Sequence, residues 1–357
     1  MEEYDWTLLY DWALFFALVP FLLAIDLKMF NKGGDNVIGF RKSMILSAWY
    51  IVAGLAFGLV IWFHFGSEKA MLYYTTYVIE KSLSLDNLFV MSVIFTAFAI
   101  PRQFQHRVLV WGIIGVVILR GIMIGAGAAI VHQFDWVLFI FAAILVYTGI
   151  KMMFIDEDDD VDNFENKPLV VRLKKIFPLT TKIHRNRFMV RRDSLSAEEA
   201  ATVKGKSKFV FTPLFLALVV IEISDVIFAV DSIPAALAIT TDPFIVFTSN
   251  VFAVLGLRAL FFAVENIIDR FELMKYAISI VLAFIGVKVF YNAFCNNMGW
   301  YDYHISPGES LTFTLGALAA GFIFSAIKTG GFTHDVEEEG DDDDAKQAPA
   351  GKPQEND

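Results

Sequence analysis

The chain has little cysteine and little charge for its length. One cysteine, Cys295, stands among 357 residues, so a monomer can form neither an internal disulfide nor a thiolate metal site. Charged residues make up 19% of the chain, below the roughly 25% of soluble proteins. No GxxxxGK[ST] segment is present, which excludes a P-loop of that form. The six histidines lack the spacing of a metal-binding pair.

Apolar residues are what the chain has in excess. They make up 56% of it and come in long runs. Runs of about eighteen or more apolar residues indicate membrane-spanning helices. We therefore predict an all-α polytopic membrane protein with about nine transmembrane helices, near residues 7–27, 43–64, 71–100, 107–131, 136–155, 209–240, 243–266, 272–294 and 310–328.

The basic residues cluster in every second connection. They are dense in 28–42 and in 151–208, whereas the connection 132–135 carries none. By the positive-inside rule the N-terminus is predicted to lie outside and the C-terminus inside. The long loop 156–208 is then cytoplasmic, and its basic stretch 172–192 is expected to lie on anionic membrane lipid rather than on nucleic acid.

The end of the chain differs in composition from the rest. We predict a membrane domain over residues 1–335 and a separate tail over residues 336–357. The tail is acidic, contains Ala, Pro and Gln, and has no hydrophobic period. Such a segment cannot bury enough apolar surface to fold by itself, so we expect disorder there.

A weak internal repeat runs through the chain. Three segments in the first half match three in the second half at offsets between 137 and 139 residues. The matched segments are 86–89 with 225–228, 119–120 with 257–258, and 145–154 with 282–291. The predicted third to fifth helices (about 71–155) thus correspond to the sixth to eighth (about 209–294), in inverted topology. Inverted repeats are typical of secondary transporters, whose substrate site lies between the repeats near the midplane.

Two predicted spans carry acidic residues where apolar ones are expected. The segments are EKSLSLDNLF at 80–89 and VIEISDVIFAVDSIPAAL at 220–237. A charge at the bilayer centre costs about 2.5–3.5 kcal/mol on insertion scales, so such side chains usually face a cavity or a partner. The candidate ligands of a buried site are Glu80, Asp86, Asn87, Glu222, Asp225 and Asp231.

A straight helix does not bring all these carboxylates to one point. In the first segment one face is shared by Glu80, Ser84, Asn87 and Met91. Asp86 lies roughly 120° from Glu80, and Asp231 lies nearly opposite Glu222. Either the carboxylates divide into more than one site, or the helices break near Leu85–Asn87 and Val230–Pro234, where Pro234 lacks a backbone donor.

Buried basic and amide residues accompany the acids. Arg120 and Arg258 occupy matched positions in the span that follows each acidic segment. We expect these arginines to balance part of the acidic charge or to act in gating. Asn250 is a candidate for capping a helix, kinking it or ligating an ion.

The candidate ligands supply oxygen atoms only. Oxygen-only sites suit Mg, Ca and Mn rather than Cu or Zn, so the residues indicate a hard divalent cation as substrate, with no prosthetic cofactor. Exporting a dication from a cell that is negative inside costs about 2.3 kcal/mol per charge for each 100 mV. Carboxylates that lose protons when they bind metal provide a route to proton exchange.

An enzymatic reading is not supported. Two aspartates in separate spans would also suit an intramembrane aspartyl protease, but the GxGD-type motif is missing and the chain has LDN and SDV instead. A GxSxG serine motif is missing as well. The sequence therefore predicts a protein that is not an enzyme.

The two acidic segments also carry a family resemblance. EKSLSLDNLFV at 80–90 and EISDVIFAVDSIPAAL at 222–237 resemble the paired signature of the TerC family, which includes the Alx proteins. The resemblance spans most of the chain and leaves out the acidic tail. It implies a bacterial inner-membrane protein of the wider LysE-like transporter group, associated with manganese export, alkaline-pH response and, by older naming, tellurium resistance.

Residues and resemblance together predict a secondary transporter that exports Mn²⁺, with proton exchange as the coupling route. Asp86, Asp225 and Asp231 would be ligands, Asn87 and Glu222 would assist, and Glu80 would be a ligand or a proton carrier. The alternative is a non-transporting membrane factor in tellurium resistance or in envelope, alkaline-pH or redox stress. Expected partners are the metal ion, membrane lipid and other membrane or export proteins.

Overall fold

The structure is a computed structural model and covers most of the chain. It describes residues 6–30, 40–134, 136–154, 168–180, 182–184, 186–196, 198–199, 203, 207–264, 274–298 and 305–328. The tail predicted at 336–357 lies outside these residues, as does the beginning of the loop predicted at 156–208.

Helices form nearly all of the described structure. Eleven α-helices are present in it: α1 (Trp6–Phe30), α2 (Phe40–Phe65), α3 (Ser67–Ala97), α4 (Arg102–Gln133), α5 (Val137–Phe154), α6 (Pro168–Ile176), α7 (Pro213–Ile239), α8 (Pro243–Leu255), α9 (Leu257–Val264), α10 (Met274–Met298) and α11 (Pro307–Lys328). Two short strands, β1 (Met189–Arg191) and β2 (Phe209–Phe211), pair antiparallel between α6 and α7. The all-helical prediction is confirmed apart from this small sheet.

Seven helical segments of the described chain are long and apolar enough to cross a membrane, against about nine predicted. They are α2, α4, α5, α7, α8 together with α9, α10 and α11. In α1 the side chains are described over Leu9–Ile25, and this apolar stretch is shorter than any of the seven segments. α3 is not among these seven segments. It has 31 residues and carries five charged ones, Glu68, Lys69, Glu80, Lys81 and Asp86. The charges that set α3 apart also supply part of the candidate site.

Single residues explain several helix ends. Gly66 has a φ of 87°, which glycine adopts without steric cost, so α2 turns directly into α3. The Asp242 carboxylate accepts a hydrogen bond of 3.1 Å from the Phe244 backbone and caps α8. Pro243 follows at the first helical position, where no N–H is needed. Lys69 of α3 reaches the same Asp242 at 2.9 Å, which ties the two helix beginnings together.

The two acidic helices are continuous at both positions where the sequence allows a break. α3 runs through Asp86, and α7 runs through Pro234. Breaks at these two points are therefore absent from the structure, and the alternative in which the carboxylates divide into more than one site remains.

The helix break lies elsewhere, between α8 and α9. Gly256 ends α8, and the Lys81 ammonium donates a 2.9 Å hydrogen bond to the Ala253 carbonyl just before it. A Cβ on Gly256 would lie 3.1 Å from the Lys81 Nζ and 2.9 Å from the Tyr50 Cβ. Glycine at this position lets Lys81 reach a carbonyl at the C-terminal end of α8, where a positive charge is favourable.

The helices pack around α3 and α4. α3 lies against α2, α7, α8 and α11, whereas α4 lies against α7 and α8. Buried apolar side chains from these elements form the main clusters, in which Leu88, Val116 and Val220 are fully enclosed. The polar side chains of α3, α4, α7 and α8 are thereby held where these four helices meet.

The α5–α10 crossing is close and reciprocal. A Cβ on Gly149 would lie 2.7 Å from the Ser279 carbonyl oxygen, and a Cβ on Gly286 would lie 2.6 Å from the Ala142 carbonyl oxygen. Glycine is needed at both positions because the obstacle is backbone in each case. Gly149 of α5 therefore contacts the backbone of α10, and Gly286 of α10 contacts the backbone of α5.

Helix α6 and the β1–β2 sheet form a small unit between α5 and α7 in the chain. α6 buries Val170 and Leu173 in the same apolar cluster as α3, α4 and α7, so its apolar face is turned to protein. The Thr212 hydroxyl donates to the Arg187 carbonyl at 2.8 Å, which fixes the sheet strand β2 at the start of α7. The Arg107 guanidinium lies 5.3 Å from the centre of the Phe188 ring, a cation–π distance.

Candidate functional site

The centre of the candidate site is the guanidinium of Arg120 on α4. Its Nε donates to Asp225 Oδ2 at 3.0 Å and its Nη2 donates to Asp225 Oδ1 at 2.8 Å. Its Nη1 donates to Glu80 Oε2 at 3.0 Å. One arginine therefore binds a carboxylate of α7 and a carboxylate of α3, and it joins three helices.

All three charged groups are hidden inside the protein. Arg120 is 2% exposed, Glu80 1% and Asp225 3%. Two carboxylates and one guanidinium leave a formal net charge of one negative in the cluster. Removing one partner from a buried ion pair costs about 3–5 kcal/mol, because it leaves an uncompensated charge. The three side chains therefore depend on each other for burial.

Two asparagines extend the cluster. Asn87 Nδ2 lies 3.5 Å from Asp225 Oδ1, and Arg120 Nη1 donates to Asn250 Oδ1 at 3.3 Å. The Asn250 amide also lies against Glu80. Asn87 Oδ1 is buried and makes no hydrogen bond to any described group. A hidden amide oxygen without a donor is costly in an apolar interior, so this atom is available to a donor or a cation.

A small cavity adjoins the cluster between α3 and α7. It measures about 10 Å³ and is lined by Asn87, Asp225, Met91 and Ser224, among others. A volume of about 10–15 Å³ holds one water molecule. The cavity therefore offers room for one water or one small ion beside the carboxylate of Asp225 and the amide of Asn87.

The helix face predicted for α3 lies inside the protein. Glu80, Ser84, Asn87 and Met91 are all buried. The Ser84 hydroxyl donates to the Glu80 backbone oxygen at 2.6 Å, so it is satisfied within the helix. The side chains of Asp86 and Asp231 lie outside the described residues. Among the side chains that are described, no three His, Cys, Asp or Glu groups come close enough to hold a metal.

Glu222 lies apart from the Arg120 contacts. Its carboxylate fits against Gly115 of α4, where a Cβ would overlap with it. It lines a cavity of about 380 Å³ between α4 and α7, which we call the α4–α7 groove, with Trp111, Ile114, Gly115, Leu119, Leu218, Val219 and Ile223. The Glu222 Oε2 atom makes no hydrogen bond to a described group. Glu222 and Asp225 are one helical turn apart but lie in different surroundings.

Arg258 has a different neighbour from its repeat counterpart. It is 1% exposed, and its Nη1 lies 2.7 Å from the Nε2 atom of His106 on α4. At that distance the guanidinium donates to a neutral imidazole nitrogen. Arg120 binds carboxylates, whereas this contact of Arg258 is with a histidine.

Sequence reasoning missed three buried polar contacts. Lys81 stands beside Glu80 in the sequence, yet it turns to the end of α8. Asp11 is 1% exposed and pairs with the His64 Nδ1 atom at 2.7 Å. Lys288 is buried and donates to Ser310 at 2.7 Å. A charged residue in an apolar run was the available signal for each, but the partner lies on another helix and the pattern does not identify it.

Comparison with known proteins agrees with this architecture. The model of the family described as "Integral membrane protein TerC family" matches residues 65–331. A relative from Rickettsia felis, named "Uncharacterized membrane protein", is 39% identical over 91% of this chain and all of its own. A relative from Escherichia coli K12, named "Putative membrane-bound redox modulator Alx", is 38% identical over 88% of this chain and 94% of its own. No solved structure matches the chain.

Both the family match and the relatives cover the helices that build the site. The family model runs from the end of α2 past the end of α11 and so includes α3, α4, α7 and α8. Both relatives are aligned over nearly their whole length. The chain is a multi-pass integral membrane protein and belongs to the TerC family of integral membrane proteins.

Proposed function

We propose that the protein is a secondary transporter that exports a hard divalent cation, Mn²⁺, across the bacterial inner membrane. The observation that carries the proposal is the buried cluster of Glu80, Arg120 and Asp225 beside a cavity with room for one small ion. Intramembrane carboxylates of this kind are costly and mark ion pathways by default.

The donor chemistry supports a hard cation. Glu80 and Asp225 supply carboxylate oxygens, and Asn87 supplies an amide oxygen without a hydrogen-bond donor among the described groups. Oxygen donors of this type are the ligands of Mg, Ca and Mn. We propose Asp86 and Asp231 as additional ligands on the sequence pattern alone, and Glu222 as an assisting group that must turn from the α4–α7 groove to reach them.

Arg120 acts in this proposal as an internal cation. It pairs with both Asp225 and Glu80 as long as the substrate is absent, so that neither buried carboxylate lacks a cationic partner. An incoming dication takes the carboxylate oxygens from the guanidinium and brings one more positive charge. The exchange between arginine and metal would then couple substrate binding to movement of α4 against α7. Arg258 is the proposed counterpart in the other repeat.

The proposed architecture is an inverted repeat of α3–α5 and α7–α10, with the N-terminus outside. The reciprocal glycine contacts support it. Gly149 meets Ser279, and Gly286 meets Ala142, so both pairs are related by the offset of 137 residues that relates the two repeats in the sequence. A two-fold relation produces such exchanged contacts. A site between two inverted repeats suits alternating access.

Proton exchange is the proposed source of energy. Exporting a dication against 100 mV costs about 4.6 kcal/mol, twice the value for one charge. Carboxylates that release protons on binding metal link the two fluxes in opposite directions. The protein in this proposal needs no prosthetic cofactor and is not an enzyme.

Proteoliposomes test the proposal directly. The purified full-length chain is reconstituted, and Mn²⁺ flux is measured under an imposed proton gradient for wild type, Asp225→Asn, Glu80→Gln and the matched control Asp242→Asn. Loss of one ligand should slow transport about tenfold or more. The control changes an acidic residue that pairs with Lys69 outside the cluster and should retain transport. Unchanged flux in both cluster variants would refute the site.

The second candidate is a membrane factor that transports nothing. The relative named as a membrane-bound redox modulator favours it. This chain has one cysteine, so an internal dithiol couple is not available to it. Wild-type proteoliposomes that move no divalent cation, beside a stress phenotype that the Asp225→Asn variant leaves intact in cells, would support this candidate.

A further inference from the structure

The Glu222 carboxylate faces an apolar surface, and none of the described lysines or arginines forms an ion pair with it. The Oε2 atom is hidden from solvent and accepts no hydrogen bond from a described group. Arg120, the arginine of the neighbouring cluster, already binds Asp225 and Glu80. A hidden carboxylate oxygen without a donor loses more free energy than a neutral group would. A donor that enters the groove from outside the described fold would satisfy this oxygen, and a positively charged donor would also pair with the carboxylate once its proton is lost.

The walls of the α4–α7 groove show from which side a partner would come. Trp111 is 52% exposed and Ile114 37%, and the next turns of α4 expose Ile118 and Ile122 as well. A stripe of exposed apolar side chains on a membrane-spanning helix faces lipid. The groove of about 380 Å³ opens on that stripe, so its occupant arrives through the hydrocarbon.

The depth of the Glu222 carboxylate in the bilayer limits which positively charged compounds can reach it. Glu222 follows Pro213, the first residue of α7, by nine residues, which is about 14 Å along a helix. Half of the hydrocarbon core is about 15 Å, so a helix that enters the hydrocarbon at Pro213 carries the carboxylate to about the midplane. The ammonium of a phospholipid headgroup belongs to the interface and cannot follow it there, whereas a single-chain amine can.

We propose that the α4–α7 groove is a binding site for lipophilic primary ammonium compounds, with Glu222 as the anionic partner. The ammonium donates to the carboxylate, and the hydrocarbon chain lies along Leu218, Val219 and Ile223. Gly115 leaves the space in which the carboxylate rests. The groove lies apart from the Arg120 contacts but shares Glu222, the assisting group of the proposed metal site, and the proposal does not rest on transport.

Carbodiimide labelling in nanodiscs tests the site. Dicyclohexylcarbodiimide partitions into lipid, and a carboxyl oxygen bonds to its central carbon while the carboxyl proton passes to one nitrogen. The adduct rearranges to a stable N-acylurea whose mass is the sum of the two reactants, so peptide mass spectrometry locates it. Full-length wild type in phosphatidylcholine nanodiscs should be labelled at Glu222, and Glu222→Gln should lose that label.

Competition identifies the ligand class. Dodecylammonium at ten times its dissociation constant should lower the label about tenfold, whereas methylammonium at equal concentration should not. Adding phosphatidylethanolamine to the nanodiscs should also leave the label unchanged. Absence of label at Glu222, failure of dodecylammonium to protect it, or protection by phosphatidylethanolamine would each overturn the proposal. Gly115→Ala, which forces the carboxylate to move, should reduce the label without abolishing the fold.

Discussion

Arg120 holds both carboxylate oxygens of Asp225, with Nε 3.0 Å from Oδ2 and Nη2 2.8 Å from Oδ1. This fork joins α4 to α7 inside the protein, and the remaining nitrogen reaches α3 through Glu80. Bidentate pairs of this kind are stronger and more directional than single ion pairs. The same contacts that stabilise the helix arrangement occupy the oxygens that a cation would need.

Replacing Arg120 by Met should destabilise the protein strongly. The substitution leaves Glu80 and Asp225 buried without a cation, and the loss should be about 3–5 kcal/mol in the free energy of unfolding. Arg120→Lys should recover only part of it, because an ammonium cannot form the fork. Thermal unfolding of the purified protein in detergent measures the differences. Lys69→Met is the control, since the exposed pair with Asp242 is worth about 0–1 kcal/mol. Equal losses in Arg120→Met and Lys69→Met would contradict the buried cluster.

The glycines of the α5–α10 crossing should not tolerate alanine. In Gly149→Ala and Gly286→Ala the new methyl meets a backbone oxygen at 2.7 or 2.6 Å, so the helices must separate. Overpacking of this kind costs about 1–3 kcal/mol. Gly125→Ala is the control, because nothing lies within 4 Å of its Cβ position and alanine favours a helix by about 1 kcal/mol. The melting temperature should fall in both crossing variants and not in the control. Tolerance of both would mean that the crossing is looser than described.

Lys81 should be needed for the break between α8 and α9. Lys81→Met removes the donor to the Ala253 carbonyl, and an orphaned buried carbonyl costs about 1–3 kcal/mol. Hydrogen exchange of the amides of α9, measured by mass spectrometry, should become faster in this variant. Lys151→Met is the matched control, since that lysine is exposed on α5 and surface changes usually stay within about 0.5 kcal/mol. Exchange that is unaltered in Lys81→Met would show that the ammonium does not hold the break.

Thr212 should fix the small sheet to the start of α7. Thr212→Val keeps the shape of the side chain but removes its donor to the Arg187 carbonyl. The loss should be about 1–3 kcal/mol locally, and limited proteolysis between Arg187 and Phe211 should become faster. Thr312→Val is the control, because its hydroxyl makes a comparable 2.9 Å bond on an exposed helix face. Cleavage at the wild-type rate in Thr212→Val would contradict this role.

Most of the helices could be predicted from the sequence. The run at 107–131 became α4, which extends to Arg102–Gln133, and the run at 310–328 became α11 at Pro307–Lys328. Long apolar runs determine such helices, because a membrane leaves the backbone no other partner than itself. The sheet between α6 and α7 was missed, since its strands have three residues each and no hydrophobic period separates them from the polar loop.

The candidate site was only partly predictable. Acidic residues in apolar runs identified Glu80 and Asp225, and the shared helix face identified Asn87. The partners were not predictable, because each lies on a different helix. The sequence is compatible with Asn250 capping a helix, kinking it or ligating an ion, and the structure places it against Arg120. Breaks near Asp86 and Pro234 were not found, since α3 and α7 remain continuous there.

The sequence by itself determined that the chain is a helical membrane protein, which segments carry buried charge, and to which family those segments belong. Only the tertiary structure decided that Arg120 binds Asp225 and Glu80, and that Glu222, one turn away, faces the α4–α7 groove. The physical reason is that helical periodicity gives the direction of a side chain relative to its own helix axis. The rotation of one helix against another depends on close contacts between distant residues, such as those of Gly115 with Glu222 and of Gly149 with Ser279.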